Sequence, residues 1–196
     1  MAKSDPASAK KERNKNVKWV ITIFFVTIFI SGSISLLSDI LMESSTMAVA
    51  FGILLVIILV GILFDVIGMA VATADEKPFH SMVARKVPGA QEAIRLLRNA
   101  ERVSSICNDV VGDICGVVSG SASATIAAQI LRNFDFTWPQ IISLLMSALA
   151  AGLTVGGKAI GKSFAVNSCT SIVHGVGRVI HALHNFPKLF RKKKKK

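Results

Sequence analysis

The chain has 196 residues, enough for one domain, and 52% of them are hydrophobic, with a mean hydropathy of +0.55. Apolar runs this long and frequent exclude an ordinary soluble domain and point to a chain that crosses a membrane several times. The net charge of +11 sits at the ends: residues 1–18 hold six basic and two acidic side chains, residues 188–196 hold seven basic and none acidic, and the body is neutral. Two cationic tails on a neutral apolar body suit anionic lipid headgroups as partners. Basic and aromatic residues do not interleave, so nucleic acid is not expected.

The N-terminal segment, residues 1–18, reads as a basic cytoplasmic tail. Residues 19–38, "WVITIFFVTIFISGSISLLS", are long enough for one crossing and carry no small-residue cleavage pattern, which favours a retained signal-anchor. Its following loop, "DILMESST", has acids and no Lys or Arg, so residues 19–45 form a first span with an external loop. A second span occupies residues 46–72. Residues 77–102 carry Lys77, Arg85, Lys86, Arg95, Arg98 and Arg102 and belong inside by the positive-inside bias. Their spacing predicts surface helices broken at "VPGA", where Pro88 and Gly89 stand. A weakly apolar third span covers residues 103–131 and a fourth covers residues 139–160. Trp19 and Trp138 then mark opposite interfaces.

Residues 166–186 are apolar, but a crossing there would place the polybasic end, residues 187–196, outside. His174, Arg178 and His181 recur at i, i+4 and i+7, so an interfacial amphipathic helix is expected. His181 and His184 stand three apart, without carboxylate or thiol neighbours in sequence to complete a zinc site. Cys107, Cys115 and Cys169 form no CxxC pair, and the first two lie about 12 Å apart along a helix, too far to bridge. The expectation is therefore an all-α polytopic bundle in the cell (plasma) membrane, with about four spans, cytoplasmic interfacial helices, and both termini cytoplasmic.

Charged groups inside the spans carry the functional reading. Asp65 lies late in the second span, Asp109 and Asp113 in the third, and Lys158 in the fourth. Each costs a few kcal/mol in a bilayer unless it is paired or faces a water-filled cavity. At i, i+4 spacing Asp109 and Asp113 share a helical face, so their repulsion needs relief from Lys158 or a bound cation. Two readings follow. In one, Lys158 pairs with the acids and locks the bundle. In the other, Asp65, Asn108, Asp109 and Asp113, with backbone carbonyls, form a hard oxygen-rich metal site for which Mg²⁺ is the best chemical match. The two are compatible if Lys158 holds the site until displaced. Gly112, Gly116 and Gly120, with Gly152/Gly156 and Gly157/Gly161, are small-xxx-small patterns that permit close helix approach. No nucleophile–base pair, nucleotide loop or HExxH points to an enzyme.

The order of these pieces resembles the transmembrane domain of the CNNM/CorC magnesium transporters, over residues 49–165. "FDVIGMAVATAD", residues 64–75, has the small-residue texture of that family's FSGSETALTSAN. "LLRNAERVS" stands where it has LLxxPERLL, "CNDVVGD" is similar to GNNLVN, and "GKAIGKSFA" matches GEILPKTLA in position. The family's Ser is here Asp65, its second Asn is Asp109, its Glu is Lys158 and its proline is Gly161, while Lys162 agrees. The resemblance implies a CNNM-like core (residues 46–165) that transports or senses a divalent cation, magnesium, and forms a homodimer, here without the nucleotide-sensing CBS pair. The rival expectation is a structural or partner-binding membrane protein.

Overall fold

A computed structural model describes residues 6–43, 45–134 and 138–192, with side chains for 17–42, 45–134 and 138–185. The described residues are helical with no strands, an all-α bundle. The expectations for the leader's basic side chains and the polybasic end fall outside the described side chains.

Helix α1 runs Pro6–Glu43 and α2 runs Met47–Thr73. Two short helices, α3 (Lys77–Ala84) and α4 (Ala90–Arg98), follow before α5 (Ala100–Ser105). Helix α5 passes through a π-helical turn, Ile106–Gly112, directly into α6 (Asp113–Asn133). Helices α7 (Pro139–Asn167) and α8 (Cys169–Lys192) complete the chain. Among the described residues, four stretches are long and apolar enough to cross a membrane: Val17–Met42, Met47–Thr73, Ala100–Asn133 and Pro139–Asn167. At about 1.5 Å per residue, α2 is about 40 Å long, which exceeds the hydrocarbon core.

The surface of this bundle agrees with a lipid solvent. Phe24, Phe25, Phe29 and Leu36 on α1, Leu144 and Ile160 on α7, and Val117 on α6 all lie exposed. A water-facing domain does not carry such a continuous apolar exterior. Inside, α2 is the central helix and packs on α7, α6, the π turn, α5 and α8. One core cluster joins Met42, Leu54, Ile58, Ile126 and Met146 at the end of the bundle away from the short helices. Another joins Val71, Phe79, Ile94, Ala165 and Val173 where α3, α4 and α8 cap the opposite end. Helix α1 rests mainly on α6, where Ile23 packs against the cluster of Ile114 and Val118 with Val110 of the π turn.

Polar bonds fix that seam. Gln129 Nε2 donates to Met42 O at 2.7 Å, meeting a carbonyl of the last turn of α1. Thr125 Oγ1 donates to Asp39 Oδ1 at 3.4 Å, and the Ser35 and Ser121 hydroxyls meet at 3.3 Å. Hydrogen bonds between spans hold helices together where apolar contact gives no preference over lipid.

The "VPGA" break forms as its residues dictate. Lys86 takes a left-handed φ of 56° after α3, and Gly89 (φ 85°) precedes α4. Val87 N donates to Met82 O at 3.0 Å and Lys86 N to Val83 O at 2.9 Å, which closes the last turn of α3. Gly89 is also where α8 crosses: a Cβ on Gly177 would collide with Gly89 O. Two boundaries differ from the sequence reading. Helix α7 continues to Asn167, and the bend to α8 falls at Ser168, whose φ of −120° and ψ of 20° are not helical.

Candidate functional site

Asp65 sits on α2 facing the π turn and α7. Its side chain is only 6% exposed, whereas that of Lys158 is 20% exposed and that of Asp113 is 73% exposed. Lys158 Nζ, reaching from α7, lies 3.5 Å from Asp65 Oδ1 and 3.9 Å from Asp113 Oδ1. It also donates to Gly112 O at 3.3 Å. One ammonium from α7 is thus held by two carboxylates and a carbonyl, one carboxylate on α2 and the other two groups on the continuous π turn and α6. By helix rise, Asp65, Asp113 and Lys158 lie about 5–8 Å from the midpoints of the stretches Met47–Thr73, Ala100–Asn133 and Pro139–Asn167, towards the capped end. In a membrane-spanning helix an unpaired charge at such a position is costly.

Local packing brings the helices close enough for this. A Cβ on Gly157 would run into Ile62, and one on Gly161 would meet Val66 at 2.6 Å, so α7 lies tight on α2. A Cβ on Gly61 would meet Cys115 at 2.8 Å, which sets α6 tight on the same helix. Of the small-xxx-small positions read from the sequence, Gly112, Gly157 and Gly161 sit at close approaches, whereas a Cβ on Gly116, Gly120, Gly152 or Gly156 would meet nothing within 4 Å, so those four do not mediate packing.

Asn108 is placed beside the cluster rather than on Lys158. Its amide seats on Gly68, one turn along α2 from Asp65, where any Cβ would collide with Asn108 Oδ1. Its Nδ2 donates to Ser104 Oγ at 3.3 Å. Two buried oxygens here have no hydrogen-bond partner, Asp65 Oδ2 and Asn108 Oδ1. Buried acceptors without partners are rare and mark either strain or a missing ligand.

Asp109 does not join the group. It is exposed and accepts from Ser105 Oγ at 2.8 Å. The i, i+4 expectation that put it on the same face as Asp113 assumes α-helical spacing. Between Ile106 and Gly112 the backbone is π-helical. Asp109 bonds to Ser105 in its own helix, whereas Asp113 reaches Lys158. The π turn also aims Gly112 O at Lys158, a contact that no side-chain pattern announces. The seat for Asn108 had a fainter signal, the Gly68 that follows Asp65 by three residues. Among the described residues, no three His, Cys, Asp or Glu side chains converge as a metal-binding group.

A second polar group lies in the cap. His181 Nδ1 meets Glu92 Oε1 at 3.0 Å, and its Nε2 meets Asn185 Nδ2 at 2.8 Å. Those partners assign the hydrogen to Nδ1, with Nε2 accepting. His174 Nε2 approaches Pro88 O at 3.2 Å. The bond from His181 holds the Glu92 carboxyl below its ordinary value, with the adjacent Arg95 adding a smaller pull. His184 lies exposed, apart from this group. The histidines thus tie α8 to α4. At the same end, Arg102 stacks 5.6 Å over the Trp19 ring, joining α5 to α1.

The cluster can hold a cation: three oxygens already do so for an ammonium, and two more lie buried beside them. Family models, curated proteins and solved structures all fail to match this chain.

Proposed function

We propose that this is a multi-pass protein of the cell membrane that transports or senses a divalent cation, magnesium, at the Asp65–Asn108–Asp113 cluster. Lys158 is the internal counter-charge that the cation displaces. The observation that carries the reading is the pair of buried oxygens without partners, Asp65 Oδ2 and Asn108 Oδ1, next to an ammonium that already occupies a cation's position. Carboxylate, amide and carbonyl oxygens are the hard donors that Mg²⁺ takes, and Mg²⁺ commonly keeps several waters, so few protein ligands suffice. Asp109, exposed and bonded to Ser105, is a pathway residue in this reading rather than a ligand. The resemblance to the CNNM/CorC transmembrane domain supports the same assignment, and a homodimer is part of it.

A second reading has its own observation. Lys158 makes three contacts at once, which is what a lock between α2, α6 and α7 requires. The Lys158→Met variant separates the two. Reconstituted in liposomes under a Mg²⁺ gradient, wild type carries flux. Lys158→Met lowers the Mg²⁺ concentration for half-maximal thermal shift by about tenfold, the gain expected when a coupling of roughly 1.4 kcal/mol against the ion is removed. No flux and no Mg²⁺-dependent shift in either protein would leave only the lock.

A further inference from the structure

Where α8 crosses the turn between α3 and α4, basic side chains gather that no acid of the chain answers. A Cβ on Gly89 would fall 2.5 Å from Arg178 N, and one on Gly177 would collide with Gly89 O, so α8 meets this turn backbone to backbone. Lys86 and Arg85 stand three and four residues before Gly89, in the turn closed by Val87 N on Met82 O and Lys86 N on Val83 O. The close crossing of the two glycines therefore sets Arg178 beside that turn. Arg85, Lys86 and Arg178 are all exposed.

The acids that could neutralise them are absent or already paired. No acid stands between Glu76 and Glu92, and none follows Asp135. Glu76 holds Arg98 at 3.1 Å and meets His80 at 3.4 Å, while Glu92 holds His181 at 3.0 Å. The ion pairs among the described residues thus leave Arg85, Lys86 and Arg178 without a carboxylate. Like charges brought together repel, and an anion from outside the chain relieves them. Apolar side chains border the same corner. Val83 and Ile180 are each 37% exposed and Val179 is 59% exposed. A soluble anion gains nothing from them, whereas a lipid presents a phosphate and acyl chains together. The position agrees. Helix α3 begins four residues after the candidate span that ends at Thr73, and α8 begins two residues after the one that ends at Asn167. Both are thereby tied to the edge of the bilayer.

We infer that Arg85, Lys86 and Arg178 form a binding surface for the phosphate headgroup of an anionic phospholipid in the leaflet on the capped side, with Val83, Val179 and Ile180 against its upper acyl chains. The surface is separate from the basic tails and independent of the cation reading of the Asp65 cluster. A headgroup seated here pairs with charges from both the α3–α4 turn and α8, so it ties the two together.

Thermal unfolding of the full chain in neutral detergent, with dioleoylphosphatidylglycerol or dioleoylphosphatidylcholine added, tests the surface. Phosphatidylglycerol is expected to raise the midpoint in a saturable way, and phosphatidylcholine to leave it unchanged. Each basic residue near an anionic headgroup contributes about fivefold to affinity. Arg85→Gln, Lys86→Gln and Arg178→Gln combined should therefore need at least about tenfold more phosphatidylglycerol for half of the shift. Without lipid this triple variant unfolds at the wild-type temperature or above, since its three side chains pair with no acid of the chain. A lower midpoint, or failure to fold, would make the three residues structural and overturn the inference. A second variant, with residues 192–196 changed to Gln, keeps the wild-type response. If that variant loses the response and the triple variant keeps it, the tail is the lipid site and the surface is wrong. Equal responses to the two lipids would leave the three charges merely solvated. A shift with glycerol 1-phosphate as large as that with phosphatidylglycerol would make the occupant a soluble phosphate ester and sink the lipid assignment.

Discussion

Asp65 and Asp109 are both acids on predicted spans, yet their surroundings give them opposite weights. Asp65 is buried with one oxygen on Lys158 and one unpartnered. Removing one member of a buried pair leaves the other charge uncompensated, at a cost of about 3–5 kcal/mol. The residual contacts of Lys158 with Asp113 Oδ1 and Gly112 O place Asp65→Ala at the lower end of that range. Adding Lys158→Met removes the stranded charge, so the double variant recovers most of the loss; thermal unfolding in detergent measures both. A double variant no more stable than Asp65→Ala would show that the two side chains are not energetically coupled. Asp109 is exposed and bonded to Ser105 within its own helix. Asp109→Ala therefore changes stability by no more than about 0.5 kcal/mol, as for a surface position, and leaves Mg²⁺ affinity unchanged. A tenfold loss of affinity in Asp109→Ala would mean that the π turn rewinds to bring this acid to the site.

The helices were legible in the sequence in proportion to how much of each is set by length and hydropathy. The four spans follow from runs of apolar residues that no soluble fold tolerates, and the "VPGA" break follows from the backbone limits of Pro88 and Gly89. The π turn, which buries Cys107, Val110 and Gly112, was not legible, because no local propensity in residues 106–112 distinguishes it from a continuing α-helix. Nor did the sequence show that Asp109 would bond to Ser105 rather than to Lys158. The bond from α8 to α4 was equally hidden, since Glu92 and His181 are 89 residues apart. It has a pH consequence. Because the Glu92 carboxyl is held below its ordinary value, its stabilising contribution is present above that value and is lost as pH falls through the lowered one. Acidification below the ordinary carboxylate range should therefore loosen α8 from α4, seen as faster hydrogen exchange in the Cys169–Lys192 helix. Glu92→Gln removes that step and leaves exchange in this helix flat over the same range. A step that persists in Glu92→Gln would assign it to another group.

At the scale of the whole chain, the arrangement of α8 decides the topology. Four spans place both ends on one side of the membrane, whereas a fifth crossing by α8 would separate them. Helix α8 packs on α4 and α2 in the cap, and it is absent from the helices apolar enough to span. Val179, Ile180 and Leu183 lie exposed along it, at the i, i+1 and i+4 positions of a stripe, and Arg178 and His184 are also exposed. That is the composition of a helix lying in the headgroup region with its apolar side dipped into lipid. The cap beside it holds Lys77, Arg85, Lys86, Arg95, Arg98 and Arg102, and the proposed topology, following the positive-inside bias, puts this loop in the cytoplasm. Terminal tags with a protease site should then both be cut in inverted vesicles and both be protected in right-side-out ones. A cysteine at Ser45, in the α1–α2 connection, should be labelled only in right-side-out vesicles. Opposite behaviour of the two tags would make α8 a fifth span. Both tags protected in inverted vesicles would turn the whole molecule over. The same vesicles therefore fix which face of the membrane lies nearer the Asp65 cluster, which no feature of the cluster itself specifies.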